Sequence, residues 1–266
     1  TLARRAKEAQ AELAEFSQEQ IDDIVAAMAS AATEHAEASA IAAVKETGYG
    51  VIADKIQKNL FASQDVYRFI KPLKTVGVVS RDEARKVVEI AEPFGVVAAI
   101  VPSTNPTSTT IFKALIAIKA RCAIVLSPHP SATTCIGHIA DILIEAATKA
   151  GAPIGAISVM RSVTVEGTQE LMRHPDISLI LATGGMGLVR SAYSSGKPAY
   201  GVGPGNAPAY IERSADVPKA VRDIVTGKTF DNGVLCSSEN SVITDEVIVD
   251  QVRKEFRANG ACFLTA

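Results

Sequence analysis

The feature that most constrains the fold is a regular alternation of short apolar runs with longer amphipathic segments between residues 95 and 202. The apolar runs predict strands near residues 95–101, 122–126, 156–160, 177–181 and 198–202. The segments between them predict helices near residues 107–120, 131–150, 164–173 and 185–194. Continuous apolar strands joined by helical crossovers are typical of a parallel sheet that is covered on both faces. We therefore predict an α/β fold built on a Rossmann-like parallel sheet with helices on both faces.

The residues before this core predict helices and one hairpin. Ser17 and Gln20 form the S-x-x-Q pattern of a capping box, and Gly48 and Gly50 would end the helix that begins there. A further helix is predicted from about residue 52 to residue 70. Two β-rich runs separated by a charged turn predict a hairpin near residues 76–91.

The residues after the core predict the start of a second α/β domain. Asp216 and the proline that follows it are typical of a helix start, and a helix to Gly227 is expected. A turn-rich loop, a strand near residues 241–243 and a helix over residues 245–258 come next. We assign residues 1–230 to the N-terminal helices plus the first domain and residues 231–266 to the beginning of the second domain. The uncapped start and the apolar end lead us to expect a fragment of a longer protein.

Charge and cysteine content exclude several classes of function. The formal net charge is −2, the pI is about 6.1, and no basic stripe is visible, which argues against nucleic acid and membrane partners. Neither a membrane-length apolar run nor a charged-then-apolar leader is present, so a cytoplasmic protein is predicted. The four cysteines contain no C-x-x-C pair, which favours reduced thiols, and no metal site is predicted.

Ligands of such sheets bind beyond the carboxyl ends of the strands, which draws attention to two loops. Asn105 follows the first core strand between two prolines, and its amide would suit a developing oxyanion. An equally simple interpretation is that Asn105 or Thr107 only caps a turn or helix. His129 lies between prolines after the next strand and would contact a cofactor ribose or adenine, or would simply be solvated.

Two further loops carry the remaining chemistry. Residues 181–189 lead from a strand through small residues into a helix start, which suits a phosphate, although the G-x-G-x-x-G fingerprint is absent. Cys236 lies in a polar, glycine-containing loop, where a thiolate nucleophile finds exposure and hydrogen-bond donors. Cys122 and Cys135 fall on an apolar strand and a helix and are interpreted as core thiols.

Taken together, these segments resemble the CoA-acylating acetaldehyde dehydrogenase branch of the aldehyde dehydrogenase superfamily. They are similar to the aldehyde dehydrogenase half of bifunctional aldehyde–alcohol dehydrogenases. The resemblance extends from about Asn59 to the end of the chain. Its strongest stretches are residues 92–96 (EPFGV), 104–109 (TNPTST), 127–130 (SPHP), 182–187 (ATGGMG), 192–198 (AYSSGKP), 201–206 (GVGPGN) and 230–236 (FDNGVLC).

The resemblance implies that residues 1–230 contain the NAD-binding domain and that residues 231–266 begin the catalytic domain. It also implies a role for each matching residue. Cys236 matches the nucleophile, and Asn105 matches the side-chain oxyanion donor that works with the backbone N–H of Cys236. NAD would be the cofactor, with NADP not excluded, and CoA the co-substrate. A small aldehyde and a homo-oligomeric assembly are the implied partners, with a bacterial microcompartment lumen as an alternative location. The implied cofactor-binding residues are Thr104, Ser127, His129, Pro130, Thr183, Gly184, Gly185 and Gly203.

One departure from the family pattern favours the acylating subtype. Hydrolytic members carry a glutamate that activates water to cleave the enzyme thioester. Alignment on Ala207 and Pro208 places Val202 at that position, and a valine cannot act as a general base. The thioester is therefore expected to wait for a thiol.

Three alternatives stay open at this level. The same chemistry would serve succinate semialdehyde, sulfoacetaldehyde, propionaldehyde or butyraldehyde. The chain would otherwise be an inactive cofactor-binding or assembly module, or a hydrolytic enzyme that Val202 disfavours.

Overall fold

The structure, a computed structural model, describes residues 1–264. The chain divides into two compact units, one formed by residues 1–48 and 52–203 and the other by residues 49–51 and 204–266. This division falls earlier than the domain boundary that we placed after residue 230, and that boundary stays a prediction. Among the described residues, no helix is both long and apolar enough to cross a bilayer.

The first unit contains a hairpin and a five-stranded parallel sheet surrounded by helices. Its strands are β1 (Gly77–Asp82), β2 (Val87–Ala91), β3 (Val96–Val101), β4 (Ala123–Pro128), β5 (Ile157–Val159), β6 (Leu179–Thr183) and β7 (Ala199–Val202). Its helices are α1 (Leu2–Leu13), α2 (Gln18–Glu34), α3 (Ala36–Thr47), α4 (Ile52–Leu60), α5 (Val66–Ile70), α6 (Pro106–Lys119), α7 (Thr133–Lys149), α8 (Val165–Arg173) and α9 (Met186–Tyr193).

The order of the parallel strands is β5-β4-β3-β6-β7. Counted from the first parallel strand, this is the 3-2-1-4-5 order of the doubly wound fold, with its topological switch point between β3 and β6. The predicted α/β fold class is therefore confirmed. The strands β1 and β2 pair antiparallel, which also confirms the hairpin expected near residues 76–91.

Strand β3 is buried on both faces because its side chains alternate between two cores. Val97, Ala99 and Val101 pack in a cluster that includes residues of α2, α6 and α7. Val96 and Ala98 point the other way, into a cluster that includes residues of α1, α8 and α9. This alternation follows the two-residue period of a strand, and it explains why the sequence is apolar without interruption.

The N-terminal helices agree with the prediction except at three points. The start that we expected to be uncapped is wrong, since the hydroxyl of Thr1 caps α1 by accepting a hydrogen bond from the backbone N–H of Arg4 at 3.3 Å. Ser17 and Gln20 form both bonds of the capping box, and Gly48 ends α3 with a positive φ of 69°. The single helix expected between them is wrong, since it breaks at His35, whose φ and ψ are −101° and 11°. The His35 ring nitrogen Nδ1 lies 2.9 Å from the carbonyl oxygen of Ala31, a local contact that accompanies the break.

The helix expected over residues 52–70 is also not uniform. Its two α-helical parts are joined by one wide π-helical turn at Phe61–Asp65. Thr33 of α2 donates a hydrogen bond to the buried hydroxyl of Ser63 inside that turn. Such single turns insert one residue and thereby rotate the two helical faces relative to each other.

The second unit is a small β-α-β arrangement with one further helix. Its elements are β8 (Pro208–Ile211), α10 (Val217–Thr229), β9 (Ser241–Thr244) and α11 (Val249–Ala258). The two strands pair in parallel, and Asp216 caps α10 by accepting a hydrogen bond from the backbone N–H of Lys219. The helix continues to Thr229, two residues beyond the predicted end. The helix predicted from Asp245 begins only at Val249, after a short turn at Glu246–Ile248.

Candidate active site

The loops singled out in the first unit all leave the same edge of the parallel sheet. Asn105 follows β3 and His129 follows β4, and the ends of these strands pair through Val101 and Pro128. Gly184 follows β6 and Gly203 follows β7, and here the last paired residues are Thr183 and Val202. The loops after β3 and β6 flank the switch point, which is the usual place for a dinucleotide in this fold.

Asn105 stands at the cap position of α6, but its side chain does not cap the helix. Its amide oxygen Oδ1 accepts a hydrogen bond of 2.5 Å from the ammonium of Lys58. Its amide nitrogen donates to the hydroxyl of Thr104 at 3.0 Å. Thr107 is buried and donates to Oδ1 of Asn59 at 2.8 Å. The side chain of Asn105 therefore does not cap the helix, and its role as an oxyanion donor stays a prediction.

The loop after β4 holds its two polar side chains in different surroundings. Ser127 is fully buried, and its hydroxyl lies 2.9 Å from the hydroxyl of Thr168. His129 is exposed, and its Nδ1 accepts a hydrogen bond from the backbone N–H of Ser131 at 3.2 Å, across the short turn that begins at Pro130. Because Nδ1 accepts this hydrogen bond within its own loop, Nε2 is the ring nitrogen that could donate to a ligand.

The turn after β6 offers space as well as a helix start. The backbone N–H of Gly184 is engaged with the carbonyl oxygen of Val202 at 3.1 Å. A Cβ placed on Gly185, which precedes α9, would meet nothing within 4 Å, whereas one on Gly203 would lie 3.1 Å from the sulfur of Met186. Open space at a helix N-terminus fits an anionic group such as a dinucleotide phosphate.

A buried lysine, which is not among the residues predicted from the sequence, lies beneath this edge. The ammonium of Lys113 on α6 donates to the carbonyl oxygens of Ile100 and Leu181, at 2.8 and 2.9 Å. It therefore ties β3 to β6 at the switch point. Burial lowers the pKa of Lys113 from its ordinary value to about 7. The signal that would have found it is a lysine inside a helix whose every face is otherwise apolar or small.

The Lys113 pKa predicts a dependence of stability on pH. Between about pH 7 and the ordinary lysine pKa, the unfolded chain holds a proton that the folded chain has lost, so stability rises with pH. Relative to Lys113→Met, the native protein is expected to gain up to about 1.4 kcal/mol per pH unit in that window. Urea unfolding of both proteins at pH 7, 8 and 9 measures it. Parallel stability curves would contradict the assignment.

In the second unit, the loop that carries Cys236 is strained and anchored on both sides. Asp231 and Asn232 have positive φ values of 50° and 55°, an uncommon conformation for residues other than glycine. Asp231 is fully buried and accepts a hydrogen bond of 2.8 Å from the backbone N–H of Val51. After the cysteine, the buried Ser238 donates from its hydroxyl to the carbonyl oxygen of Gly227 at 3.4 Å.

The four thiols divide by exposure. Cys236 and Cys262 are exposed, whereas Cys122 and Cys135 are buried, which confirms that the latter two are core thiols. Burial raises the pKa of Cys122. Burial, with the carboxylate of Glu46 beside it, raises the pKa of Cys135 to about 12. Neither buried thiol can supply a thiolate near neutral pH, because the thiolate is the form that burial disfavours.

The backbone around Cys236 also makes a close approach within the second unit. A Cβ built on Gly205 would lie 1.9 Å from the carbonyl oxygen of Cys236. Nearby, the backbone N–H of Asn240 donates to the carbonyl oxygen of Ala207 at 3.1 Å. Residues 204–207 therefore pack closely against the cysteine loop, and only glycine fits at position 205.

The class of protein follows from comparison with known families. The profile of the aldehyde dehydrogenase family matches residues 1–261, so the chain belongs to the aldehyde dehydrogenase family. Its resemblance to the acylating branch is confirmed by the relatives that follow.

Three relatives define the branch more closely. The chain is 49% identical over 263 residues to the bifunctional aldehyde-alcohol dehydrogenase AdhE of Escherichia coli, covering 99% of this chain and 30% of the relative. It is 56% identical to the crystal structure of an acetylating aldehyde dehydrogenase from Geobacillus thermoglucosidasius, with a TM-score of 0.95 and coverage of 99% and 58%. It is 29% identical, with a TM-score of 0.87 and coverage of 97% and 59%, to Rhodopseudomonas palustris propionaldehyde dehydrogenase with bound CoA and an acylated cysteine.

The chain thus spans 30% of the length of the first relative and just over half of the two solved structures.

Proposed function

We propose that this chain takes part in the oxidation of a short aldehyde, with CoA and NAD, to acyl-CoA and NADH. The observation that carries the proposal is the exposed thiol of Cys236, in a strained and anchored loop, within a chain that belongs to the aldehyde dehydrogenase family. The Rhodopseudomonas palustris relative has been solved with bound CoA and an acylated cysteine. Exposure and loop strain are typical of a catalytic nucleophile.

The residues of the chain divide the work as follows. The thiolate of Cys236 attacks the aldehyde carbon and forms a thiohemiacetal. By the family resemblance, the amide of Asn105 and the backbone N–H of Cys236 would both donate to the carbonyl oxygen as it gains negative charge. NAD, when bound, supplies the acceptor for the hydride that leaves the thiohemiacetal. The oxygen then reforms its carbonyl bond, and Cys236 holds the acyl group as a thioester.

The second half of the reaction depends on the residue at position 202. Val202 ends β7 where hydrolytic members carry a general base, and its side chain cannot take a proton from water. The thiolate of CoA therefore attacks the thioester carbon, and the thiolate of Cys236 leaves. The overall balance is one aldehyde, one CoA and one NAD consumed for one acyl-CoA, one NADH and one proton.

The residues at the sheet edge fit a nicotinamide dinucleotide. The open space at Gly185 and the start of α9 would take its phosphates, beside Thr183 and Gly184. The Nε2–H of His129 would donate to its adenosine, with Thr104, Pro130 and Gly203 bordering the same edge. Ser127 would stabilise this loop rather than contact the dinucleotide, since its buried hydroxyl is hydrogen-bonded to the hydroxyl of Thr168. NAD rather than NADP rests on the family resemblance.

Acetaldehyde is the substrate we propose, because the Geobacillus relative is an acetylating aldehyde dehydrogenase. Propionaldehyde is the second candidate, because the Rhodopseudomonas relative is a propionaldehyde dehydrogenase. A homo-oligomer in the cytoplasm is the expected setting.

The requirement for CoA tests the proposal directly. With acetaldehyde and NAD but without CoA, the protein at its natural length is expected to form no more than one NADH per Cys236. When CoA is added, it is expected to turn over continuously. Propionaldehyde, butyraldehyde, succinate semialdehyde and sulfoacetaldehyde, assayed in parallel, rank the substrates. Steady NADH formation without CoA would show a hydrolytic enzyme. No turnover with any of these aldehydes would favour the inactive module.

A further inference from the structure

One face of helix α4 is directed at the loop that carries Asn105. Lys55, Lys58 and Asn59 follow one another at the i, i+3 and i+4 spacing that places side chains on one face of a helix. Lys55 is buried and donates from Nζ to the carbonyl oxygen of Thr104 at 3.0 Å. Asn59 is fully buried and accepts the hydroxyl proton of Thr107. The loop is therefore held by α4 on both sides of Asn105, at Thr104 and at Thr107.

The middle residue of this face contacts the amide itself. The ammonium of Lys58 donates to Oδ1 of Asn105 at 2.5 Å. An ammonium has three donors and no acceptor, so it must face the oxygen of an amide and never its nitrogen. A rotation of the Asn105 amide by half a turn would bring its NH₂ group against the ammonium. The charge on Lys58 therefore fixes which end of the amide is directed away from α4.

The other end of the amide is the one that the proposed reaction needs. Nδ2 of Asn105 carries two protons. It donates one of them in a hydrogen bond to the hydroxyl oxygen of Thr104, with 3.0 Å between nitrogen and oxygen. The second proton is left for an acceptor such as the oxygen of a bound aldehyde. The positive charge of Lys58 beside Oδ1 also polarises the amide and strengthens its N–H as a hydrogen-bond donor.

We propose that Lys58 is a positioning residue for the oxyanion, acting through Asn105. It holds the amide with its NH₂ end directed away from α4, which leaves that end to serve as the oxyanion donor, and it increases the strength of that donor. This inference rests on the proposed function, since it gives Lys58 a part in the same reaction.

The test compares Lys58→Met with Asn105→Ala and with the double variant. Loss of one oxyanion donor costs roughly 10²- to 10³-fold in kcat. We expect Lys58→Met to lower kcat with aldehyde, CoA and NAD by roughly 10- to 100-fold, while KM for the aldehyde changes less than about threefold. Because Lys58 acts through Asn105, the double variant is expected to be no slower than Asn105→Ala alone. Lys74→Met removes the same charge from an exposed site and should leave kcat unchanged.

A second readout separates positioning from damage to the nucleophile. Alkylation of Cys236 by iodoacetamide develops no oxyanion, so its rate should be the same in Lys58→Met and in the native protein. If Lys58→Met does not fold, Lys58→Arg takes its place: a guanidinium also only donates, and most of kcat should remain.

Three results would overturn the proposal. They are an unchanged kcat in Lys58→Met, an equal loss when Lys58→Met is added to Asn105→Ala, and a loss in Lys58→Arg as large as that in Asn105→Ala. Failure of the proposed function looks different, because the native protein and Lys74→Met would then also form no acyl-CoA.

Discussion

Replacing Cys236 with serine is expected to lower acyl-CoA formation by roughly 10⁴- to 10⁶-fold, as removal of a nucleophile does in other covalent enzymes. A serine hydroxyl is hardly ionised near neutral pH, and the proposed mechanism contains no general base that would activate it. A thiol is partly ionised at this pH and far more nucleophilic. The measurement is kcat for NADH formation from acetaldehyde with saturating CoA and NAD.

The matched control is Cys262→Ser, because Cys262 is the second exposed thiol in the described part of the chain. Its kcat should equal that of the native protein. Iodoacetamide should label Cys236 much faster than Cys262, and the fast phase should vanish in Cys236→Ser. If Cys236→Ser kept more than a few per cent of native turnover, the nucleophile would have to be another group.

Replacing Gly205 with alanine is expected to lower kcat by roughly 100-fold or more, since a displacement of about 1 Å at a reacting group has that effect. The new Cβ would lie 1.9 Å from the carbonyl oxygen of Cys236. The obstacle is backbone, which cannot rotate away as a side chain does, so the cysteine loop must move. The measurement is kcat together with the rate of Cys236 alkylation.

Gly167→Ala is the control for this variant. Gly167 lies in α8, and a Cβ there would lie 3.3 Å from the side-chain hydroxyl of Thr164, which can shift slightly, rather than against backbone. Alanine is also the better helix former, so kcat should not fall. Native kcat in Gly205→Ala would mean that the loop tolerates displacement and that its seating is unimportant for the reaction.

The parallel sheet could be predicted closely because burial on both faces leaves a clear trace in the sequence. Each core strand begins and ends within about two residues of the predicted position, as Val96–Val101 and Ala199–Val202 illustrate. Helix starts with side-chain caps, such as those at Ser17 and Asp216, were equally accessible. The break at His35 was not, because no proline or glycine marks it and the residues on both sides favour a helix.

The site was only partly accessible from sequence for a related reason. A lysine in a helical pattern is expected on the surface, so the sequence does not predict that Lys55 and Lys113 face inward. Their carbonyl partners come from loops and strands far away in the chain, and only the tertiary structure brings these together. The close approach of Gly205 to the carbonyl of Cys236 joins residues 31 positions apart in the same way.

The central claim is that an acyl group is held on Cys236 until CoA removes it. Incubating the protein with acetaldehyde and NAD but without CoA, then quenching and digesting it, allows mass spectrometry to locate that group. We expect one acetyl group on the peptide that contains Cys236, formed together with one NADH, and its complete loss when CoA is added before the quench. An unmodified Cys236 after NADH has formed, or an acetyl group on another residue that CoA then removes, would contradict the account.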